Sequence, residues 1–141
     1  MVFKPYHFEH SAEIPLRTAL NLRMSNGIQA PVFNGNAPRD QIFPYVIIGE
    51  SVESEFGTKT SAGANLLLTM HIYTEEDGYD QIDTLKGQML RSISGPPVTL
   101  DANWKLIWTE MDGSSKYRYD TTTAHCVVYL RFVLNYNETV N

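Results

Sequence analysis

Few side chains in this sequence could do chemistry: four histidines, one cysteine, and 16 acids set against 11 bases. His7 and His10 stand three apart, a spacing that would place two imidazoles on one helix face as potential metal ligands. The residues around them show no helical period, and no third ligand occurs at a defined spacing. The pair therefore reads as part of an N-terminal arm. His71 and His125 each occupy odd positions of strand-like runs, opposite the apolar face. They could meet across a sheet, although histidines satisfied at a surface are the commoner outcome. Cys126 lies on the apolar face of the second run, as a small core residue would. Its neighbour His125 points the other way by the period-two rule, so no thiol–imidazole pair is set up. A single cysteine also excludes an intrachain disulfide and a multi-cysteine metal cage.

The acids form two groups, Glu50, Glu53 and Glu55, and then Glu75, Glu76 and Asp77. Carboxylate-pair catalysis or a divalent cation is the chemistry to ask of them. No D-x-D-x-D-G loop accompanies either group. The second group is accounted for as the start of a helix, where the dipole favours negative charge. The sequence holds no G-x-x-x-x-G-K-[ST], G-x-G-x-x-G or G-x-S-x-G pattern. Tyrosines are numerous (Tyr6, Tyr45, Tyr117, Tyr119, Tyr129 and Tyr136 among them), which suits interfaces or sheet packing. Stacking on nucleic acid is the weaker use in a chain of net charge −5. No catalytic residue, cofactor or metal is expected; what remains is binding or assembly.

The elements that would position these residues centre on Phe43-Pro44-Tyr45-Val46-Ile47-Ile48-Gly49-Glu50. Pro44 suits the start of a strand, since it cannot donate within a ladder. Tyr45 to Ile48 favour a pleated, buried surface, and Gly49 interrupts as at a bulge. The polar tract Ser51 to Gly63 and the run from Asn65 to Tyr73 complete a long antiparallel hairpin. Before it, Ser11 caps an expected helix to about Met24, with Ile14, Leu16, Ala19, Leu20 and Arg23 along one stripe and Asn26-Gly27 as its stop. Ala30 to Gly35 gives a short strand and turn, then Asn36 to Gln41 a loop.

After the hairpin, Ile82, Leu85, Met89 and Ile93 recur at spacings of three and four, predicting a helix with one buried face that stops at Ser94-Gly95-Pro96-Pro97. A brief strand Val98-Thr99-Leu100, a turn at 101–103 and a strand Trp104 to Met111 come next, with Trp104, Leu106 and Trp108 on one face. Asp112 to Asp120 reads as a polar turn. From Thr122 to Leu134, apolar residues alternate with others throughout, the pattern of a half-buried strand. The expectation is α+β: one domain over 11–135 with a mainly antiparallel sheet and two helices on one face, an arm at 1–10 and a polar tail at 136–141. At 141 residues and 43% hydrophobic content the chain suffices for one core. Nothing approaches the roughly 20 apolar residues of a membrane span, and no signal peptide opens the sequence, so no membrane partner is expected.

In this order and spacing the sequence resembles the tail-completion, or tail-terminator, proteins of long-tailed bacteriophages. The likeness runs from the helix near Leu16-Arg17-Thr18-Ala19-Leu20, through Pro31-Val32-Phe33 and Phe43 to Glu50, to Phe56-Gly57-Thr58-Lys59-Thr60. It continues through Leu66 to Tyr73, the helix around Gln81 to Ile93 and the final strand, about residues 14–134 in all. The arm 1–10 and the pair Pro96-Pro97 depart from it. The resemblance implies a non-catalytic neck protein of the virion, assembled in the host cytoplasm. It would form a homo-oligomeric ring, with six the expected number of copies, that ends tail-tube polymerisation and offers the head-joining surface. Its partners would be the tail tube protein and a head-completion or connector protein, with DNA passing through the lumen unbound. Glu50, Glu53 and Glu55 would line that lumen. Phe56, Thr58, Lys59 and Thr60, in a mobile loop over Ser51–Gly63, would meet a neighbour or the tube. Another neck or tube component is the alternative, and a small α+β enzyme using His71 or His125 a more distant one.

Overall fold

The alternation in the last third of the chain becomes the strand that carries the sheet. In a computed structural model, which describes residues 11–57, 62–75, 79–96, 98, 100, 103–118 and 122–136, β5 (Thr123–Tyr136) is paired along both edges. Its even positions Ala124, Cys126, Val128, Leu130, Phe132 and Leu134 are all buried. The other elements are α1 (Glu13–Gly27), β1 (Val32–Asn34), β2 (Tyr45–Gly57), β3 (Ala62–Glu75), α2 (Asp80–Ser94) and β4 (Trp104–Arg118). The sheet has five strands in the order β1-β2-β3-β5-β4. All pairs are antiparallel save β1, which runs parallel to β2 over Val32–Asn34. This is the expected α+β architecture, a two-layer arrangement with both helices on one face.

The core lies between those layers. Leu66, Leu68, Met70 and Ile72 of β3 and the even residues of β5 meet Leu16, Leu20 and Met24 of α1, and Ile82, Leu85, Met89 and Ile93 of α2. The α2 stripe is the one the spacing predicts. The α1 stripe is shifted: Met24 is inside, whereas Ile14 is 74% exposed. Asp80 and Asp83 supply the acids in the first turn of α2. Glu75 instead ends β3, and 76–78 lie outside the described residues.

Other expectations need correction. Val98 is buried but in no strand, and Leu100 is not in one either. Asp112 to Arg118 is not a turn: β4 continues through it, paired with β5 as far as Arg118↔Ala124. Trp108 does not share a face with Trp104 and Leu106. The register shift between Leu106 and Trp108 inserts Ile107, and one extra residue moves Trp108 to the other face. Trp104 is consequently buried and Trp108 is 58% exposed. The loop expected over Ser51–Gly63 is mostly ladder, because Ser51 to Gly57 pair with Leu68 to Ala62. Residues 58–61, the arm 1–10, and 137–141 lie outside the described residues.

Candidate functional site

The expected bulge at Gly49 organises the hairpin. Ile48 pairs with Met70 and Ser51 with Leu68, so Gly49 and Glu50 together oppose Thr69 alone. Such an insertion breaks the ladder and leaves backbone groups to be satisfied by other means. Arg17 does this from the helix side. Its guanidinium donates to the carbonyl of Ile48 at 3.1 Å and to that of Gly49, and also to Asn34 Oδ1 at 3.0 Å and Ser51 Oγ at 3.2 Å. Glu13, one turn earlier on α1, holds the Arg17 Nε at 3.1 Å and accepts from the Ser51 hydroxyl. One arginine thus ties α1, β1 and β2 together at the bulge, using the planar set of donors that lysine lacks.

On the uncovered face of the sheet the same bulge brings Glu50 to His71. His71 Nε2 lies 2.7 Å from Glu50 Oε1, and its Nδ1 lies 2.9 Å from His125 Nε2. Gly49 makes the approach possible: a Cβ there would stand 2.6 Å from the His71 ring and 2.8 Å from the Thr69 carbonyl oxygen. Around this chain runs a row of rings set by the register Tyr45↔Tyr73↔His125↔Tyr117. Their centroids are 4.9, 4.3 and 5.8 Å apart, and Tyr73 lies nearly parallel to His125. This row buries His125 without a helix above it. Burial, and after it the neighbouring His71, pulls the His125 pKa down to about 4. The hydrogen bond from His71 holds the Glu50 carboxyl below its usual range. Burial pushes the Cys126 thiol up, in keeping with a core cysteine.

The seven residues singled out from the sequence are divided by the fold. Glu50 is exposed but bound to His71. Glu53 caps α1: its carboxylate accepts from the Ser11 hydroxyl at 2.6 Å and the Ala12 N–H at 3.1 Å. Ala12 itself stands at the N-cap and has no side-chain acceptor, while Ser11 Oγ receives the Glu13 N–H at 3.1 Å. Glu55 is exposed and pairs with Ala64, and Phe56 pairs with Gly63. Thr58, Lys59 and Thr60 lie outside the described residues.

Sequence reasoning missed the two exposed apolar surfaces. One is the outer side of α1, with Ile14 74% and Leu22 69% exposed. The other spreads over the uncovered face of the sheet, with Val52 63% and Trp108 58% exposed beside Leu67 and Tyr129. There a groove of about 330 Å³ is lined by Glu50, Val52, Leu67, Thr69, Asp112 and Tyr129. Among the described residues, no group of three or more His, Cys, Asp or Glu side chains is placed to hold a metal ion.

The sequence matches the family described as tail completion protein gp17 over residues 18–135. It is 24% identical over 103 residues to the tail completion protein gp17 of Bacillus phage SPP1, an alignment that covers 70% of this chain and 73% of that protein. The fold is similar to that of a chain in the virion of a native gene transfer agent particle. The TM-score is 0.76 at 14% identity, over 89% of this chain and 98% of the other.

Proposed function

The chain belongs to the tail completion protein gp17 family, and from that premise we propose that it caps the head-proximal end of a phage tail tube as a closed homo-oligomeric ring, six copies being the expected number. In this reading the ring ends tube polymerisation and presents the surface to which the filled head is joined. The chain acts by assembly and not by catalysis, as a component of the virion neck.

The observation that carries the ring is the pair of unlike apolar surfaces on opposite sides of one subunit. Ile14 and Leu22 lie outside α1; Val52, Leu67, Trp108 and Tyr129 lie on the far side of the sheet. A head-to-tail ring needs two different patches per subunit, whereas a two-fold dimer would use one patch twice. Exposed apolar groups gathered in this way mark contact surfaces. The hairpin tip, from Glu55 onward, is the segment proposed to meet a neighbour or the tube. An acidic subunit, with net charge −5, would let DNA slide through a lumen without sticking. Glu50, Glu53 and Glu55 are the acids proposed to face that lumen, with Glu55 exposed near the hairpin tip.

The test is light scattering of the purified chain over a range of concentrations, with negative-stain images, alone and after adding tail tubes. Closed rings of fixed number, free or at tube ends, support the reading. A monomer indifferent to tubes overturns it in favour of another neck component.

A further inference from the structure

We infer that Glu50, His71 and His125 form a hydrogen-bonded relay that takes up one proton with its bonds intact and opens on taking up a second, making it an acid-sensitive latch across β2, β3 and β5. The inference concerns the isolated chain and does not rest on ring formation.

With both rings neutral, the geometry fixes where the protons sit. A Glu50 carboxylate only accepts, so His71 donates to it from Nε2–H across 2.7 Å. Neutral His71 then has a bare Nδ1, and the 2.9 Å contact requires His125 to donate from Nε2–H. One added proton is accommodated by a change of direction in the second bond. His71 becomes an imidazolium, its Nε2–H still directed at Glu50 and its Nδ1–H now directed at His125, which accepts through Nε2 as the other neutral tautomer. The charge rests beside the Glu50 carboxylate, where it is paired. A second proton placed on His125 has no such solution. Two imidazolium rings would set N–H against N–H at 2.9 Å, and the bond must break.

Few other groups intervene. β2 also presents Tyr45, which reaches the site through Tyr73 of β3; β4 presents Tyr117, with its ring 5.8 Å from that of His125. Lys116 pairs with Cys126 in register and is bound to Asp83 of α2, so it stands on the opposite face of the sheet. No described helix covers the relay. The low value for His125, about 4 against an ordinary 6.5, agrees with a site that resists the second proton. The latch sits at the bulge, beyond which β2 no longer has β1 beside it and is paired with β3 alone. Opening it removes one of the side-chain ties that hold β2 at and beyond the bulge, the others being made by Arg17, Glu13 and Glu53.

The experiment is an imidazole ¹⁵N NMR titration of the full chain from neutral pH to below 4, with His71→Gln and His125→Gln used for assignment. Where both rings are neutral, His71 and His125 should each carry the proton on Nε2. His125 should titrate far below the ordinary 6.5, and its midpoint should rise in His71→Gln. Amide protection at Val52 to Glu55, taken relative to the intrinsic exchange rate at each pH, should fall as His125 titrates, and should not show that step in His125→Gln. The opposite tautomer at either ring while both are neutral, or a His125 midpoint near the ordinary 6.5, overturns the relay. So does a midpoint unchanged in His71→Gln. Exchange in the hairpin that ignores the His125 titration overturns the latch. The tautomers are read in the unaltered chain, so the relay stays testable if a variant does not fold.

Discussion

The two faces of the sheet are built on different principles. The helix-covered face is dry and aliphatic, and its residues are held by area: Phe132, Leu66, Leu68, Met70 and Ile72 are each fully or almost fully buried. The uncovered face buries little by area and much by pairing. His125 and Val127 are 7% and 6% exposed there with no helix above them, because cross-strand rings cover the first and the neighbouring strands enclose both. One strand, β5, serves both faces. Its even side builds the core and its odd side is left for specific contacts.

Mutations can break that contrast, and the helix-covered face should respond most. Phe132→Ala leaves a large cavity among α1, α2 and the sheet. It should cost about 3–5 kcal/mol in denaturant unfolding, with the secondary-structure spectrum of the remaining folded fraction unchanged. Next is Arg17→Leu, which keeps the bulk and strips the bulge carbonyls of charge-assisted donors. A loss of about 2–3 kcal/mol is expected, together with faster amide exchange at Glu50 and Ser51. Gly49→Ala tests the uncovered face. The new methyl would meet the His71 ring and the rigid Thr69 carbonyl, so about 1–3 kcal/mol should be lost and the His71–His125 bond disturbed.

The pH dependence sharpens the comparison further. Unfolded, His125 has the ordinary value of 6.5; folded, it falls to about 4, so the unfolded chain binds this proton first. Its contribution to stability is therefore complete above pH 6.5 and lost as pH falls towards 4. Glu50, lowered from 4.5, acts in the same direction below that value. Thermal melts should fall across this window, and His125→Gln should flatten the part between 6.5 and 4. The smallest effect on folding belongs to Val52→Ser and Trp108→Ser. These exposed changes should move stability by no more than about 0.5 kcal/mol, yet weaken ring or tube-end assembly measured by light scattering.

The same contrast explains what could be read from sequence. β5, α2 and the Gly49 break were legible because each is a local pattern: a period of two, a stripe at Ile82, Leu85, Met89 and Ile93, a glycine inside an apolar strand. The extra residues Ile107 and Asp112 were not, since a bulge is a mismatch in count between two strands and is invisible in either alone. Glu53 capping a helix start 41 positions away depends on register in the same sense, whereas His71 and His125 could be named as able to meet and only the register brings them together. Arg17 could have been suspected as a charge interleaved with the Leu16 and Leu20 face. Nothing near it identified the carbonyls it serves.

The two irregularities in β4 have one more consequence. A fifteen-residue outermost strand with straight geometry would invite copy after copy to stack along it without end. Inserting Ile107 and Asp112 twists that rim twice, so two such rims cannot lie flush over their length. That rim is then a poor template for strand-on-strand stacking between copies. A subunit of the cap proposed above would need that restraint on its own growth.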